Sequence, residues 1–127
     1  MSTPLKSLVT KYFRGVDDED IDILLATLTP DCVFSVETHG VRLVGHEAIK
    51  GMFDRLWANH QWVRHDEFTW AEDTSGDVIA VRFRVTNKLH NGDLVYKSNC
   101  NFFTVQDGLF SEVRVYMTGE NTLDKQH

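Results

Sequence analysis

Cysteine and proline are scarce, two of each in 127 residues, and the scarcity excludes several classes of protein. Cys32 and Cys100 stand far apart, without the paired spacing that zinc sites and redox motifs require. They read as reduced cysteines of a cytoplasmic protein, buried as small apolar filling. No stretch approaches the ~20 apolar residues that span a bilayer, and the N-terminus carries no apolar run of the signal-peptide kind. The expectation is a protein that is neither inserted in a membrane nor exported. Positive charge is in the minority, 13 Lys and Arg against 19 Asp and Glu, for a net charge of −6. That balance argues against a phosphate backbone or an anionic lipid surface, so neither nucleic acid nor membrane is expected as a partner. There are no repeats and no low-complexity tracts. Six histidines are present, but no His-x-x-x-His pair or carboxylate–histidine spacing of a zinc site, so no metal and no cofactor is expected.

What is present is a chain with 42% hydrophobic residues, enough for one compact domain over residues 1–127 that buries about two-thirds of the surface its unfolded chain exposes. The first third is helical by periodicity. Leu5, Leu8, Val9, Tyr12, Phe13 and Val16 form one apolar stripe, with Thr3 and Pro4 as cap and first-turn proline. The acidic run Asp17-Asp18-Glu19-Asp20 reads as a solvated cap for a second helix rather than a metal site. That helix has the stripe Ile21, Leu24, Leu25, Leu28 and stops at Pro30. Asp31 to Thr38 reads as a strand closed by His39-Gly40, and a third helix follows Gly45 with Ile49, Met52, Phe53, Leu56 and Trp57 inward.

From His60 the chain turns to aromatic and β-branched runs over 60–72, 77–89, 94–106 and 109–118, separated by short turn sequences. Helices first and strands afterwards is an α+β pattern. In 77–89, Ile79, Val81, Phe83 and Val85 alternate with Ala80, Arg82, Arg84 and Thr86, so the first set should face the interior. In 94–106, Asn99, Asn101, Phe103 and Val105 share one face and Tyr96, Cys100 and Phe102 the other. Apolar residues on both faces predict that the outer face is covered, most simply by a second copy of the chain in a homodimer.

The terminal strand Glu112-Val113-Arg114-Val115-Tyr116, with Asn121 five residues after its tyrosine, resembles the last strand of the ketosteroid isomerases and SnoaL-like polyketide cyclases, in the nuclear transport factor 2-like superfamily. Gly45-His46-Glu47-Ala48-Ile49 is similar to that family's entry to its third helix. The resemblance implies a cone, cystatin-like in architecture, in which a curved, largely antiparallel mixed sheet wraps three N-terminal helices around a cavity. It places Tyr12 where the isomerases keep a tyrosine that hydrogen-bonds the developing enolate oxygen. Asn101 stands where they keep a protonated aspartic acid as second donor, and Met117 where the family often has a pocket aromatic. At the position of their general base, this chain has Val36, and the neighbouring Glu37 should face the other way.

Two readings of each polar residue fit. Tyr12 is either core or a donor to a ligand oxygen; Asn101 either serves a pocket or ties the third helix to the sheet. Candidate walls are Phe34, Val36, Phe53, Trp57, Phe83, Val115 and Met117, the apolar composition of a small-molecule pocket. If another base replaces the aspartate, His65, Asp66 and His39 are the candidates. The implied function is binding of a small apolar carbonyl or hydroxyl compound, by a cofactor-free isomerase, cyclase or dehydratase or by a non-catalytic ligand-binding or dimerisation domain of the same fold.

Overall fold

The computed structural model describes residues 3–119. Asn121 and the expected loose tail Thr122 to His127 lie outside the described residues. The first helix, α1 (Pro4–Asp17), begins where Thr3 accepts a hydrogen bond from the Lys6 amide and Pro4 occupies the first turn, a capped start that orphans few amides. Its stripe of Leu5, Val9, Tyr12, Phe13 and Val16 is buried, each side chain contributing about 2 kcal/mol by removal from water. α2 (Ile21–Leu25) is capped by Asp20, whose carboxylate accepts from the Ile23 amide. It is shorter than its stripe suggests. Leu28 opens a strand instead, β1 (Leu28–Val36), so the expected helix end at Pro30 and strand start at Asp31 are both corrected. Pro30 is tolerated there because the pairing of β1 is irregular between Leu28 and Val33.

A single 3-10 turn, Glu37–His39, leads into a short edge strand that periodicity did not reveal, β2 (Val41–Val44). α3 (His46–Ala58) follows, with Ile49, Met52, Phe53 and Leu56 buried. The remaining chain is the expected run of strands: β3 (His60–Glu72), β4 (Val78–Leu89), β5 (Leu94–Gln106) and β6 (Leu109–Tyr116). The sheet order is β2-β1-β6-β5-β4-β3, antiparallel throughout except where β1 lies parallel to β6. This is the mixed, curved sheet of the α+β fold, and the helices pack on its inner face. Among the described residues no helix is long and apolar enough to cross a membrane.

The strand faces are as the alternation indicates. Ile79, Val81, Phe83 and Val85 are buried, as are Asn99, Asn101 and Phe103, while Tyr96 is 70% exposed on the outside. The core is held by edge-to-face aromatics: Tyr12 meets Phe13 and Phe103 at centroid distances of 5.0 and 5.2 Å, and Phe34 meets Phe53 at 5.8 Å. β3 carries the geometry that matters most for the cavity. Asp66 pairs with Arg84 but Thr69 with Arg82, so one extra residue is inserted, with Glu67 at φ 55°. Phe68 and Trp70, partly buried, therefore pack against the same core as His65's side chain.

α1 and α2 approach so closely that a Cβ on Gly15 would lie 2.8 Å from the Leu24 backbone nitrogen and 2.9 Å from its Cα. Backbone cannot yield as a side-chain tip can. Gly15→Ala is therefore expected to cost about 3 kcal/mol, measured as a lowered urea midpoint, whereas Gly76→Ala, at a turn with open space around it, carries only its backbone strain.

Candidate active site

A cavity of about 30 Å³ lies between α1, α3 and the inner face of the sheet. That is room for about two waters. Tyr12 and Phe13 reach it from α1, Phe53 and Leu56 from α3, and Phe34, Phe83, Val85, Val115 and Met117 from the sheet and its end. Its polar lining consists of Tyr12, His65, Asn87, Asn99 and Asn101, and among the described residues no Lys, Arg, Asp or Glu side chain is on the wall. Of the residues singled out from sequence, Tyr12, Asn101, Phe34, Phe53, Phe83, Val115 and Met117 come together here. Val36 and Trp57 do not. Val36 is fully buried in β1, paired with Val41 and Val115. Trp57 turns its indole N–H to the Val16 carbonyl at 2.9 Å, tying the end of α3 to the end of α1.

The position expected for a base on β1 is thus filled by a buried valine, and Glu37 beyond it is exposed. Of the three alternative candidates, His39 and Asp66 are exposed and His65 lines the cavity. Its side chain is 8% exposed. The Asp17 carboxylate holds His65 twice: Oδ1 lies 2.5 Å from ring Nδ1, and Oδ2 accepts from the His65 backbone N–H at 2.9 Å. A carboxylate on Nδ1 keeps the proton there and leaves Nε2 as the basic nitrogen. The ring is fixed between Phe13 and Phe83, at centroid distances of 4.8 and 5.4 Å. The acidic run after α1 therefore does two jobs. Asp20 caps α2, as expected, but Asp17 orients a histidine, which the sequence spacing did not show. Other histidines are structural: His60 and His90 engage the Leu56 and Ala58 carbonyls at the end of α3, each at 2.6 Å, and His46 that of Leu28. Among the described residues no three histidine, cysteine or carboxylate side chains converge as metal ligands.

The amides differ among themselves. Asn99 Oδ1 accepts from the Thr118 amide at 3.2 Å, and Lys97 Nζ donates to the Thr118 carbonyl at 2.8 Å, which pins the chain after β6 to β5. Asn101, 3% exposed, has an Oδ1 with no hydrogen-bond partner among the described residues. Tyr12 is held far above the usual phenol range, first by burial and then by the neighbouring Cys32. It can therefore donate a hydrogen bond but not act as a base.

The SnoaL-like domain matches residues 9–113. No curated protein matches the chain. Among solved structures, a candidate polyketide cyclase from Xanthomonas campestris superposes with a TM-score of 0.83 at 21% identity, covering 89% of each chain. One from Pseudomonas putida does so with a TM-score of 0.81 at 20% identity, covering 98% of this chain and 96% of its own. An LEH-like epoxide hydrolase from M. tuberculosis gives a TM-score of 0.75 at 19% identity over 97% of this chain and 86% of its own. At such identities what is shared is the fold.

Burial also pushes the Cys32 thiol up, to about 12, with the charges of Asp31 and Glu112 adding to it. Both Tyr12 and Cys32 are raised, so the stability they contribute is fully present below their ordinary values of 10.0 and 9.0 and is lost as pH climbs above these, the part due to Cys32 by about 12. The urea midpoint is expected to fall across that window, and to fall less steeply in Cys32→Ala. Tyr12 should ionise only as the protein unfolds, read as phenolate absorbance missing from Tyr12→Phe.

Proposed function

The chain belongs to the SnoaL-like domain family, and from that premise we propose that it binds a small, neutral, largely apolar carbonyl or hydroxyl compound in this cavity and moves a proton on it. The reaction class is a cofactor-free isomerisation, cyclisation or dehydration. The observation that carries this reading is the Asp17–His65 clamp on the cavity wall. Histidine is the side chain whose unperturbed basicity suits proton transfer near neutral pH, and here it is oriented and largely removed from water. Nε2 of His65 takes the proton from the carbon beside a carbonyl, while the Tyr12 hydroxyl donates to the oxygen on which charge develops. The same proton then returns to another carbon or to a departing hydroxyl. Two structural neighbours are described as candidate polyketide cyclases and one as an LEH-like epoxide hydrolase, which accords with an oxygen-bearing substrate.

One observation favours a second reading. A cavity of about 30 Å³ is far below the ~300 Å³ of a pocket for a drug-sized ligand, which, of the non-catalytic ligand-binding and dimerisation domains on the same fold, suits the dimerisation domain. We also propose a homodimer through the outer sheet face. Its support is the exposed Tyr96 and Tyr116, and the Phe102 ring that contacts both Tyr116 and the Arg114 guanidinium. Free thiols, Cys32 buried and Cys100 half-buried, suit the reducing cytoplasm as the compartment.

Exchange of α-hydrogens of neutral ketones in D₂O, followed by NMR, tests the chemistry without a named substrate. His65→Gln is expected to slow exchange about 100-fold, and Asp17→Asn about tenfold through loss of ring orientation. Exchange that wild type does not accelerate would favour the non-catalytic domain, and acceleration that survives His65→Gln would remove His65 as the base. In light scattering, Phe102→Glu should shift a dimer to monomer; a wild-type monomer would remove the dimer.

A further inference from the structure

Lys97, Asn99, Asn101 and Phe103 form the inward row of β5. The first two are committed to Thr118. Asn101 is flanked across the ladder by Val81 on β4 and Val115 on β6, and neither valine side chain can donate a hydrogen bond. Its Oδ1 is buried and accepts nothing from the described residues. An amide oxygen has two lone pairs, and burying it unpaired is costly. Tyr12, on the same wall, is a protonated hydroxyl and hence a donor toward a ligand. The wall therefore offers a donor in Tyr12, the imidazole Nε2 of His65 and a vacant amide acceptor in Asn101, and among the described residues no carboxylate, ammonium or guanidinium lines it to balance a charge.

We propose that Asn101 is a specificity-determining residue of this cavity, its Oδ1 selecting ligands that bring a hydrogen-bond donor of their own: neutral alcohols or enols rather than simple ketones or ethers. A hydroxyl oxygen accepts from Tyr12 while its proton goes to Asn101; a ketone oxygen satisfies Tyr12 alone and leaves Asn101 unpaired. The cavity seats the hydroxyl end of such a molecule, and the remainder needs the surrounding phenylalanine and methionine side chains to move. This rests on the reading of the cavity as a ligand site, and it narrows that reading from carbonyl or hydroxyl compounds to donors. It also gives Asn101 a role opposite to the hydrogen-bond donor that the isomerase resemblance implies.

Three molecules of matched shape test it: cyclohexanol, which donates and accepts, cyclohexanone, which only accepts, and methylenecyclohexane, which does neither. Titrated into the wild-type protein and followed by NMR at the methyl groups of Val115 and Met117, cyclohexanol is expected to bind about tenfold more tightly than cyclohexanone. In Asn101→Leu the two should bind alike. Equal binding in the wild type, or a preference that survives Asn101→Leu, overturns the proposal while leaving the cavity a ligand site. A ketone preference overturns it too, and means that the amide presents Nδ2. Binding of none of the three removes the cavity reading and the proposal together. If Asn101→Leu does not fold, the wild-type rank order decides alone, since cyclohexanone has no donor.

Discussion

The last turn of α1 is the constraint on which the rest of the structure depends. Gly15 has no side chain, so α2 can lie directly against it at Leu24. The Val16 carbonyl accepts the indole N–H of Trp57 from α3. Asp17 clamps both the backbone and the ring of His65 on β3. Three consecutive residues thus fasten one helix end to two other helices and to the far edge of the sheet. Tyr12 and Phe13, one turn earlier, then stand at a fixed height over β4 and β5. The shape of the cavity follows from this anchoring more than from any residue on its floor.

The inner face of the sheet is unusually polar for a core surface. His60, Asn87, Lys97, Asn99 and Asn101 are all buried on it, and buried polar groups destabilise a fold unless they are hydrogen-bonded. Lys97 and Asn99 meet that requirement by holding the chain beyond β6, and His60 by closing the end of α3. Polar groups in the apolar interior therefore serve two purposes, fastening chain ends and furnishing a wall. The fold by itself implies no chemistry; the proposed reaction rests instead on the clamped imidazole and the protonated phenol.

Much of this was legible in the sequence where a period was long enough to be read. The alternation of Ile79, Val81, Phe83 and Val85 gave the inner face of β4, and the stripe from Leu5 to Val16 gave α1. Short elements left no period: β2 has four residues, and α2 stops at Leu25 because Leu28 pairs with Phe110 instead of extending the helix. The site was half legible. Tyr12 and Asn101 sit on long, regular elements and their faces followed from parity. His65 lies on a strand that gains residues between His60 and Trp62 and again between Asp66 and Thr69, so no count from either end fixes its direction. Asp17 resembled its acidic neighbours in every local respect, and only the approach of β3 distinguishes it. Val36 and Trp57 are apolar and near in sequence to wall residues, but the first is buried in the core away from the cavity lining and the second is turned away by a hydrogen bond.

The extra residue at Glu67 has a consequence for how such a protein can change over generations. It divides β3 into two halves whose side-chain parities are uncoupled: the half before it presents His65 to the cavity, and the half after it lays Phe68 and Trp70 over the core beside α1. A deletion there would restore a single alternation and turn one half around as a unit, exchanging the residues offered to the ligand while leaving the ladder with β4 otherwise intact. A length change of one residue is therefore a route to a different wall that no stepwise substitution supplies. The scaffold can thus exchange part of a cavity wall while its strand order stays the same.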